Sequence, residues 1–258
     1  MKPIFAMAHP MALPGSFRHN GENINEIADR LLKEVAIYHD GGFTGVIIQN
    51  INDFPLKQDL YPEKIAYMTY LGSLVRREFP DLKLGIMLNW NAVSALAVAD
   101  AVSADFVRIE HTFVGAEVFC TGLFEGQCVD AMELKKKIGS RVKVFADVYD
   151  PYGSAIGKKS IEEACFDAVS FCFADGLFLE GKSPEESIQM VTAARKTVET
   201  PIYLGGGSNA DTVPLLYPHF DAMCVGKWLK KDGYILNPID MDRLHRYMDA
   251  IHTAAASA

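Results

Sequence analysis

The sequence predicts a single α/β domain folded as a (β/α)8 barrel (a TIM barrel). Eight short apolar runs alternate with segments of helical periodicity. The runs are almost continuously apolar, which is typical of parallel strands covered on both faces. The 258 residues match the size of one such barrel, about 250 residues. Strict βα alternation repeated eight times predicts a closed sheet.

The predicted strands and helices follow one another along the whole chain. The strands are Pro3–Ala8, Thr44–Asn50, Lys83–Asn89, Asp105–Glu110, Val142–Val148, Asp175–Gly181, Pro201–Gly207 and Ala222–Trp228. The helical segments include Asn23–Asp40, Pro62–Phe79, Asn91–Ser103, Ile161–Phe171 and Glu185–Val198. Capping signals mark Asn23–Glu26, Ser160–Glu163 and Ser183–Pro184. No linker composition divides the chain, so residues 1–258 are predicted to form one domain whose tail, residues 253–258, is frayed.

Composition excludes several classes of protein. The net charge is −8 with both signs mixed and no basic stripe, which argues against nucleic-acid binding. No apolar run is long enough to span a bilayer, and the N-terminus has no signal-peptide pattern. The five cysteines lack CxxC spacing and indicate reduced thiols in a cytoplasmic protein. Cys120, in a predicted loop, is the candidate reactive thiol.

The ends of the last two predicted strands carry the pattern of a phosphate site. Each apolar run stops at glycine, and each glycine precedes a candidate helix start. Free backbone N–H groups at helix N-termini bind phosphate, and the loops after strands seven and eight are where barrels usually place them. Lys227 suits a charge partner of the phosphate or, alternatively, a solvated lysine. The candidate residues are Gly205, Gly206, Gly207, Ser208, Gly226 and Lys227.

Charged residues near the ends of strands four to six are the acid/base candidates. Asp147 would face the barrel interior, where a buried carboxylate needs a partner or a raised pKa. Asp147 has two equal alternatives. It acts as a general acid or base, or it forms a structural ion pair with Lys143 or Arg108. Glu110, which shares a face with Arg108, and Glu180 at the end of strand six are its candidate complements.

Further polar residues follow strands one to three at the same rim. His9 is a candidate for ligand contact or for a structural hydrogen bond. The amides of Asn50 and Asn89 could bind hydroxyls of a sugar-like ligand together with Arg108, whereas Asn91 could equally cap a helix. The site is predicted to require no cofactor.

A divalent metal, Mg²⁺ or Zn²⁺, remains the minority alternative at this rim. Oxygen ligands suit hard cations. No pair of the acidic and histidine residues has a dedicated metal spacing, so no metal ligand is assigned. The residues considered are Asp53, Glu110, His111, Asp147 and Asp150.

Two long loops are predicted to act as lids. Thr112–Val129 follows strand four, and Tyr149–Lys159 follows strand five. Loops of this length in a compact barrel are usually functional, and both follow the strands with the acid/base candidates.

The order of short motifs resembles the BtpA/SgcQ family along nearly the whole chain. The motifs include Lys2–His9, Gln49-Asn50 before Asp53–Pro55, Ala104–Arg108, Phe145–Val148 and Val225-Gly226 followed by Asn237–Asp240. The resemblance implies a barrel of the ribulose-phosphate-binding type. The family is named for a cyanobacterial member needed for photosystem I biogenesis, other members resemble proteins of sugar-uptake operons, and some relatives are labelled phosphoribosylanthranilate isomerase-like.

The chain departs from that family at rim positions. Gln49 stands where Glu is usual, Glu110-His111 where Asn is usual, and Tyr149-Asp150 where the family has His and Lys-His. The resemblance therefore implies altered or lost chemistry at the rim, with the phosphate end retained.

Three functions are compatible with the sequence. The first is an isomerase, aldolase-type lyase or hydrolase for a small phosphorylated sugar or nucleotide-like ligand, and the second is a non-catalytic assembly factor that keeps the barrel. The third is a phosphoribosylanthranilate isomerase-like enzyme, which is disfavoured because Ala8-His9 and Glu180 stand where that reaction uses Cys and Asp. A homo-oligomer is an open alternative.

Overall fold

Eight parallel strands form the centre of the protein. The computed structural model describes residues 1–111 and 113–257. The strands are β1 (Ile4–Ala8), β2 (Gly45–Gln49), β3 (Lys83–Met87), β4 (Phe106–Ile109), β5 (Ala116–Phe119), β6 (Gly122–Glu125), β7 (Lys143–Asp147), β8 (Ser154–Ile156), β9 (Gly176–Leu179), β10 (Ile202–Leu204) and β11 (Met223–Val225). All but β5, β6 and β8 pair in the order β10-β9-β7-β4-β3-β2-β1-β11. A bridge between Tyr203 and Ala222 joins the two ends, which confirms the predicted (β/α)8 barrel.

Helices cover the outside of this barrel. They are α1 (Ile24–Asp40), α2 (Pro62–Glu78), α3 (Ala92–Ala101), α4 (Cys128–Ile138), α5 (Ile161–Phe166), α6 (Pro184–Ala194), α7 (Val213–Leu216) and α8 (Met241–Ala256). Capping boxes at Asn23 and Ser160 confirm two predicted starts. The predicted helix Ile161–Phe171 is α-helical through Phe166 and π-helical beyond it. Helix α8 continues past residue 253, where fraying was expected, because alanine favours helix and Ala254 packs on the core.

Aromatic side chains close the barrel interior beneath its C-terminal rim. Phe178 and Tyr203 pack there with three further phenylalanines. Each of those three lies directly opposite a glycine of the neighbouring strand, and a Cβ on that glycine would come within 2.2–2.8 Å of the ring. The ring of one strand therefore occupies the space that the next strand leaves open. The pairs are Phe5–Gly45, Phe106–Gly85 and Phe145–Gly176.

The strands end earlier than the apolar runs predicted. Asn50, Asn89, Glu110, Glu180 and the three consecutive glycines all follow the last strand residue. The carboxyl ends of all barrel strands lie at one rim, so these side chains gather there. Lys143 lies at the opposite end, where its exposed Nζ is 2.9 Å from Asp175 Oδ1.

The two predicted lid loops contain a small antiparallel sheet. Strands β5 and β6 form a hairpin, and β8 from the second loop pairs with β5. Thr112 lies outside the described residues. From Phe113 onward the predicted lid loop contains this hairpin and the start of α4 at Cys128, and its role as a lid stays a prediction. Glu117 and Phe124 lie on the buried face of the sheet.

In the part of the chain that the structure describes, no helix combines the length and apolar character that crossing a membrane requires.

Candidate active site

A cavity of about 410 Å³ opens at the C-terminal rim of the barrel. Its volume lies within the range of small-ligand sites, roughly 300–1,000 Å³. It is bounded by the ends of the barrel strands, by the β5–β6 hairpin and by the loop after β7. The lining includes His9, Gln49, Phe54, Trp90, Arg108, Glu110, His111, Phe119, Asp150, Glu180, Gly205, Gly206, Gly207, Ser208, Gly226 and Lys227.

Arg108 and Asp147 form a buried ion pair at the cavity floor. Arg108 Nε donates to Asp147 Oδ2 at 2.9 Å, and Nη2 donates to Oδ1 at 2.7 Å. Burial opposes the charge on Arg108, but the adjacent carboxylate outweighs it and raises the pKa of the guanidinium. Both carboxylate oxygens of Asp147 are used in this pairing. Of the two sequence-based alternatives, the structure supports the ion pair, with Arg108 and not Lys143 as the partner.

Glu110 is a half-buried carboxyl group at the end of β4. Its Oε2 accepts hydrogen bonds from Asn89 Nδ2 at 2.8 Å and from Gln49 Nε2 at 3.4 Å. Burial, with a smaller repulsion from Asp150, raises the pKa of Glu110 to about 8. A carboxyl group in this range can carry a proton at neutral pH and release it, which suits general acid/base chemistry.

Glu180 lies against the glycine-rich turn. A Cβ on Gly206 would stand 2.6 Å from Glu180 Oε2, so only a glycine fits there without displacing the carboxyl group. Burial raises the pKa of Glu180 to about 7, although the charges of Arg108 and Lys227 oppose the shift. The cavity therefore holds two carboxyl groups that titrate near neutrality.

His9 is a neutral hydrogen-bonding residue in this arrangement. Its Nε2 is 3.2 Å from Gln49 Oε1. Because the amide nitrogen of Gln49 faces Glu110, that oxygen accepts and His9 Nε2 donates. Burial, together with the positive charge of Lys230, lowers the pKa of His9 to about 3. The His9 side chain therefore has the structural hydrogen bond to Gln49 that one alternative predicted, and its contact with a ligand stays a prediction. With its lowered pKa, the ring is a weak base.

The turn after β10 presents unpaired backbone donors. Gly205 N–H donates to Leu179 O, and Gly205 O accepts from Arg108 Nη1, both at 2.9 Å. Within residues 1–111 and 113–257, the N–H groups of Gly206, Gly207 and Ser208 have no hydrogen-bond partner. Three consecutive free donors beside a cavity have the arrangement that anion-binding turns use.

The predicted helix starts after the last two strands are wrong. Helix α7 begins only at Val213, and a single 3₁₀ turn, Lys227–Leu229, follows β11. The chain after Ser208 instead forms a turn capped by Asn209, whose side chain accepts from Thr212 N. The turn therefore lacks the helix dipole expected from the sequence. Lys227 is exposed, with Nζ 3.3 Å from Tyr152 OH.

The predicted amide ligands have structural hydrogen bonds. Asn50 Oδ1 accepts from Asn89 N at 2.8 Å, and Asn50 Nδ2 donates to Asp53 Oδ2 at 2.9 Å. Neither amide lines the rim cavity. Asn91 caps α3 by accepting from Ser94 N, as one alternative predicted.

His111 links the small sheet of β5, β6 and β8 to the barrel rim. The sequence did not predict this role. Its Nδ1 lies 2.8 Å from Glu117 Oε2, and its Nε2 lies 3.7 Å from Asp150 Oδ2. Burial disfavours the charged ring, but the bond to Glu117 and the carboxylates of Glu110 and Asp150 raise the pKa of His111 to about 8. A glycine-containing turn at Thr121-Gly122 between two short apolar runs, Val118-Phe119 and Leu123-Phe124, was the available signal of the hairpin that carries Glu117.

Among the described residues, no group of three or more His, Cys, Asp or Glu side chains has an arrangement that could hold a metal ion. Asp53 is instead tied to the loop after β1, since its Oδ1 accepts from Leu13 N at 2.6 Å. That the site requires no cofactor stays a prediction, and a divalent metal stays its minority alternative.

The chain is similar to curated proteins over almost its full length. An uncharacterized protein of Methanocaldococcus jannaschii is 33% identical over 96% of this chain and 94% of its own. The photosystem I biogenesis protein BtpA of Synechocystis is 28% identical over 96% of this chain and 88% of its own.

Two solved structures with similar folds are enzymes. The 3-hexulose-6-phosphate synthase from Salmonella typhimurium superposes with a TM-score of 0.56, at 13% identity over 98% of this chain and 100% of that one. The phosphoribosyl anthranilate isomerase from Thermococcus kodakaraensis gives a TM-score of 0.57, at 11% identity over 97% and 99%. At these identities the similarity supports the fold alone.

The family profile matches the chain from its first strand to its last helix. The match covers residues 1–253 and agrees with the motifs noted in the sequence. The chain belongs to the BtpA family.

Proposed function

We propose that the protein is an enzyme that transfers a proton on a small phosphorylated sugar or nucleotide-like substrate, as an isomerase or aldolase-type lyase does. The observation that carries the proposal is the shared cavity of Glu110, Glu180 and the glycine-rich turn. Two carboxyl groups with pKa values near neutrality and an anion-binding turn are the parts that such a reaction needs.

The turn is the proposed phosphate site. The free N–H groups of Gly206, Gly207 and Ser208 would donate to phosphate oxygens, and Lys227 would balance their charge. Arg108 would hold the turn through its bond to Gly205 O, without contacting the phosphate. The two similar enzymes named above are a 3-hexulose-6-phosphate synthase and a phosphoribosyl anthranilate isomerase, which agrees with a phosphorylated substrate.

The two carboxyl groups would divide the proton transfer between them. Burial raises the pKa of Glu180 to about 7 and the pKa of Glu110 to about 8, so Glu180 releases its proton at the lower pH. Glu180 is therefore the proposed base, which takes a proton from substrate carbon, and Glu110 is the proposed acid, which returns one.

Anchoring the phosphate would orient the reacting carbon between these groups. Binding energy from a part of the substrate that does not react can be used to position the part that does. The aromatic floor beneath the cavity keeps water from the carboxyl groups on one side. In this arrangement Asp147 supports the floor through its ion pair with Arg108, which is one of the two alternatives that the sequence left open.

A thermal-shift screen followed by a deuterium-exchange assay tests the proposal. Phosphosugars, nucleotides and inorganic phosphate are compared with and without Mg²⁺ or Zn²⁺. A ligand at 100 times its dissociation constant should stabilise by about 2.7 kcal/mol. Compounds that stabilise are then incubated with the protein in D₂O, where NMR should show a carbon-bound proton replaced by deuterium.

The variant Glu180→Gln, which removes the proposed base, should lose exchange but keep the thermal shift. Glu133→Gln, an exposed glutamate on α4, is the matched control and should behave as the wild type. If no organic phosphate shifts the unfolding temperature, or if Glu180→Gln exchanges at the wild-type rate, the proposed function is wrong.

One observation favours a second candidate, a non-catalytic assembly factor. Phe166, the last residue of α5, packs against Phe171, and these two rings and that of Phe173 are exposed, with 41%, 69% and 66% of their surface accessible. Such aromatic surface is typical of protein interfaces. The Synechocystis relative is described as a biogenesis protein. This candidate predicts ligand binding without exchange for every compound, and loss of partner binding in Phe171→Asp.

A further inference from the structure

The wall of the cavity that faces the glycine-rich turn is aromatic. Phe54, Trp90 and Phe119 line it, and we call these three residues the aromatic wall. The Phe119 ring lies 5.6 Å from the Trp90 ring and 6.2 Å from the Phe54 ring, in both cases edge to face. Trp90 is buried, whereas Phe54 and Phe119 are half-buried. Two ring surfaces are thus left incompletely covered at the cavity.

The topology places the aromatic wall opposite the proposed phosphate site. In the ring of eight strands, β3 is four positions from β10, and β4 is four positions from β11. Trp90 follows β3, and Phe119 belongs to the hairpin that follows β4. The glycine-rich turn follows β10. A ligand that reaches from one feature to the other crosses the barrel mouth.

The two proposed catalytic groups lie between these ends. Glu180 adjoins the turn, with its carboxyl oxygen against Gly206. Glu110 follows β4 on the side of the aromatic wall, and its neighbour His111 packs 4.7 Å from both Trp90 and Phe119. A molecule that spans the mouth therefore presents its middle to both carboxyl groups.

Packing of the hairpin does not account for all of this aromatic surface. Trp90 and Phe124 are buried and form the hydrophobic contact between the hairpin and the rim. Phe54 and Phe119 extend that contact into the cavity. A simple sugar phosphate offers mainly hydroxyl and phosphate groups and only small C–H faces, whereas a planar aromatic ring would cover more of these ring surfaces by stacking.

From this arrangement we infer that the substrate is a phosphorylated sugar that carries a planar aromatic ring of nucleobase size. This inference rests on the proposed function. The phosphate binds at the Gly206–Ser208 turn, the ring stacks on Phe54 and Phe119, and the sugar lies between Glu180 and Glu110. The substrate class is thus nucleotide-like, and the bond between ring and sugar lies near Glu110.

Isothermal titration of four probes tests the inference: adenosine 5′-monophosphate, uridine 5′-monophosphate, ribose 5-phosphate and adenosine. Stacking of one base on aromatic side chains contributes about 1–3 kcal/mol, which corresponds to roughly 5–150-fold in affinity. At least one of the two nucleotides should bind at least fivefold more tightly than ribose 5-phosphate. Adenosine, which lacks the phosphate, should bind more weakly than its monophosphate.

Matched variants separate stacking from folding. Phe54→Leu and Phe119→Leu should each lose about fivefold or more in nucleotide affinity and keep the affinity for ribose 5-phosphate. Phe54→Tyr and Phe119→Tyr retain a ring and should bind as the wild type does. Phe171→Leu removes an exposed ring far from the cavity and is the control. The unfolding temperature of every variant is measured without ligand to show that the variant is folded. If Phe119→Leu, which lies in the hairpin, does not fold, Phe54→Leu alone provides the test.

The outcomes distinguish the inference from the proposed function. If ribose 5-phosphate binds as tightly as both nucleotides, or if both leucine variants bind nucleotide normally, the ring is wrong and the phosphate site stands. If no phosphorylated probe binds, the proposed function fails and the inference fails with it. Tight binding of adenosine alone would likewise overturn the inference, because the phosphate would have no site.

Discussion

Replacing Asp147 by asparagine removes one partner of the buried ion pair at the cavity floor. The Arg108 and Asp147 side chains are only 5% and 7% exposed and share two short hydrogen bonds. In Asp147→Asn the guanidinium keeps its charge and loses its counter-ion. Removing one partner of a buried pair costs about 3–5 kcal/mol. For a chain of this size each kcal/mol lowers the unfolding temperature by roughly 2–4 °C, so we expect a decrease of roughly 6–20 °C.

Urea unfolding at pH 7.5 measures this cost. The free energy of unfolding should decrease while the dependence on urea stays the same, because the surface exposed on unfolding is unchanged. Asp211→Asn is the control. Its partner Arg246 is 3.6 Å away and both side chains are exposed, so its effect should stay within about 1 kcal/mol. A cost below about 1 kcal/mol for Asp147→Asn would refute the structural assignment.

The apolar double variant completes the test. Arg108→Met combined with Asp147→Leu removes both charges together and fills a similar volume. Replacing a buried pair in this way is often neutral or stabilising. The double variant should therefore be more stable than Asp147→Asn alone. If the double variant is less stable than Asp147→Asn, the ion pair contributes more to the free energy of unfolding than the neutralisation of two buried charges.

Three further predictions concern the rim. In the free enzyme, kcat/KM should rise as Glu180 ionises near pH 7 and fall as Glu110 ionises near pH 8; a profile that is flat from pH 6 to 9 would exclude this pair. The folded pKa of His111, about 8, exceeds its ordinary value of 6.5, so its charge stabilises the fold by about 2 kcal/mol below pH 6.5, and this stabilisation is lost as the pH rises through 8. His111→Asn should thus lower the free energy of unfolding more at pH 6 than at pH 9, and equal losses would contradict the assignment. In Gly206→Ala the new Cβ would meet the Glu180 carboxyl group, so calorimetry should show at least tenfold weaker phosphate binding; unchanged affinity would place the phosphate elsewhere.

The barrel could be predicted from the sequence because its strands have an unambiguous pattern. A strand covered by a helix on one side and by the interior on the other is apolar throughout, as in Val46–Ile48. The hairpin after β4 lacks such a pattern. Its strands have four residues each, one face contacts the rim, and the partner strand β8 lies about 30 residues further along the chain. The pairing of β8 with the hairpin depends on contacts between residues that are distant in the sequence, so no short segment of the chain predicts it.

The site was predicted in outline because the barrel determines which residues reach the rim. Glu110, Glu180 and the glycine-rich turn were identified from their positions at strand ends. The choice between acid/base and ion pair for Asp147 could not be made, because it depends on which strand neighbour comes within hydrogen-bond distance. The pKa values also depend on burial, which the linear sequence does not report. The expected helix N-terminus after Gly207 failed because Asn209 caps a turn first.

The three phenylalanine–glycine pairs at the barrel floor have a consequence for how this fold can change. Each pair fixes the register of two adjacent strands, since a shift by one residue would drive a Cβ into a ring. These contacts in the barrel interior therefore fix where β2, β4 and β9 end relative to the rim. Rim side chains such as Gln49, Glu110 and Glu180 can be exchanged without disturbing that alignment. The floor acts as a fixed template, and new chemistry can be introduced at the rim by single substitutions.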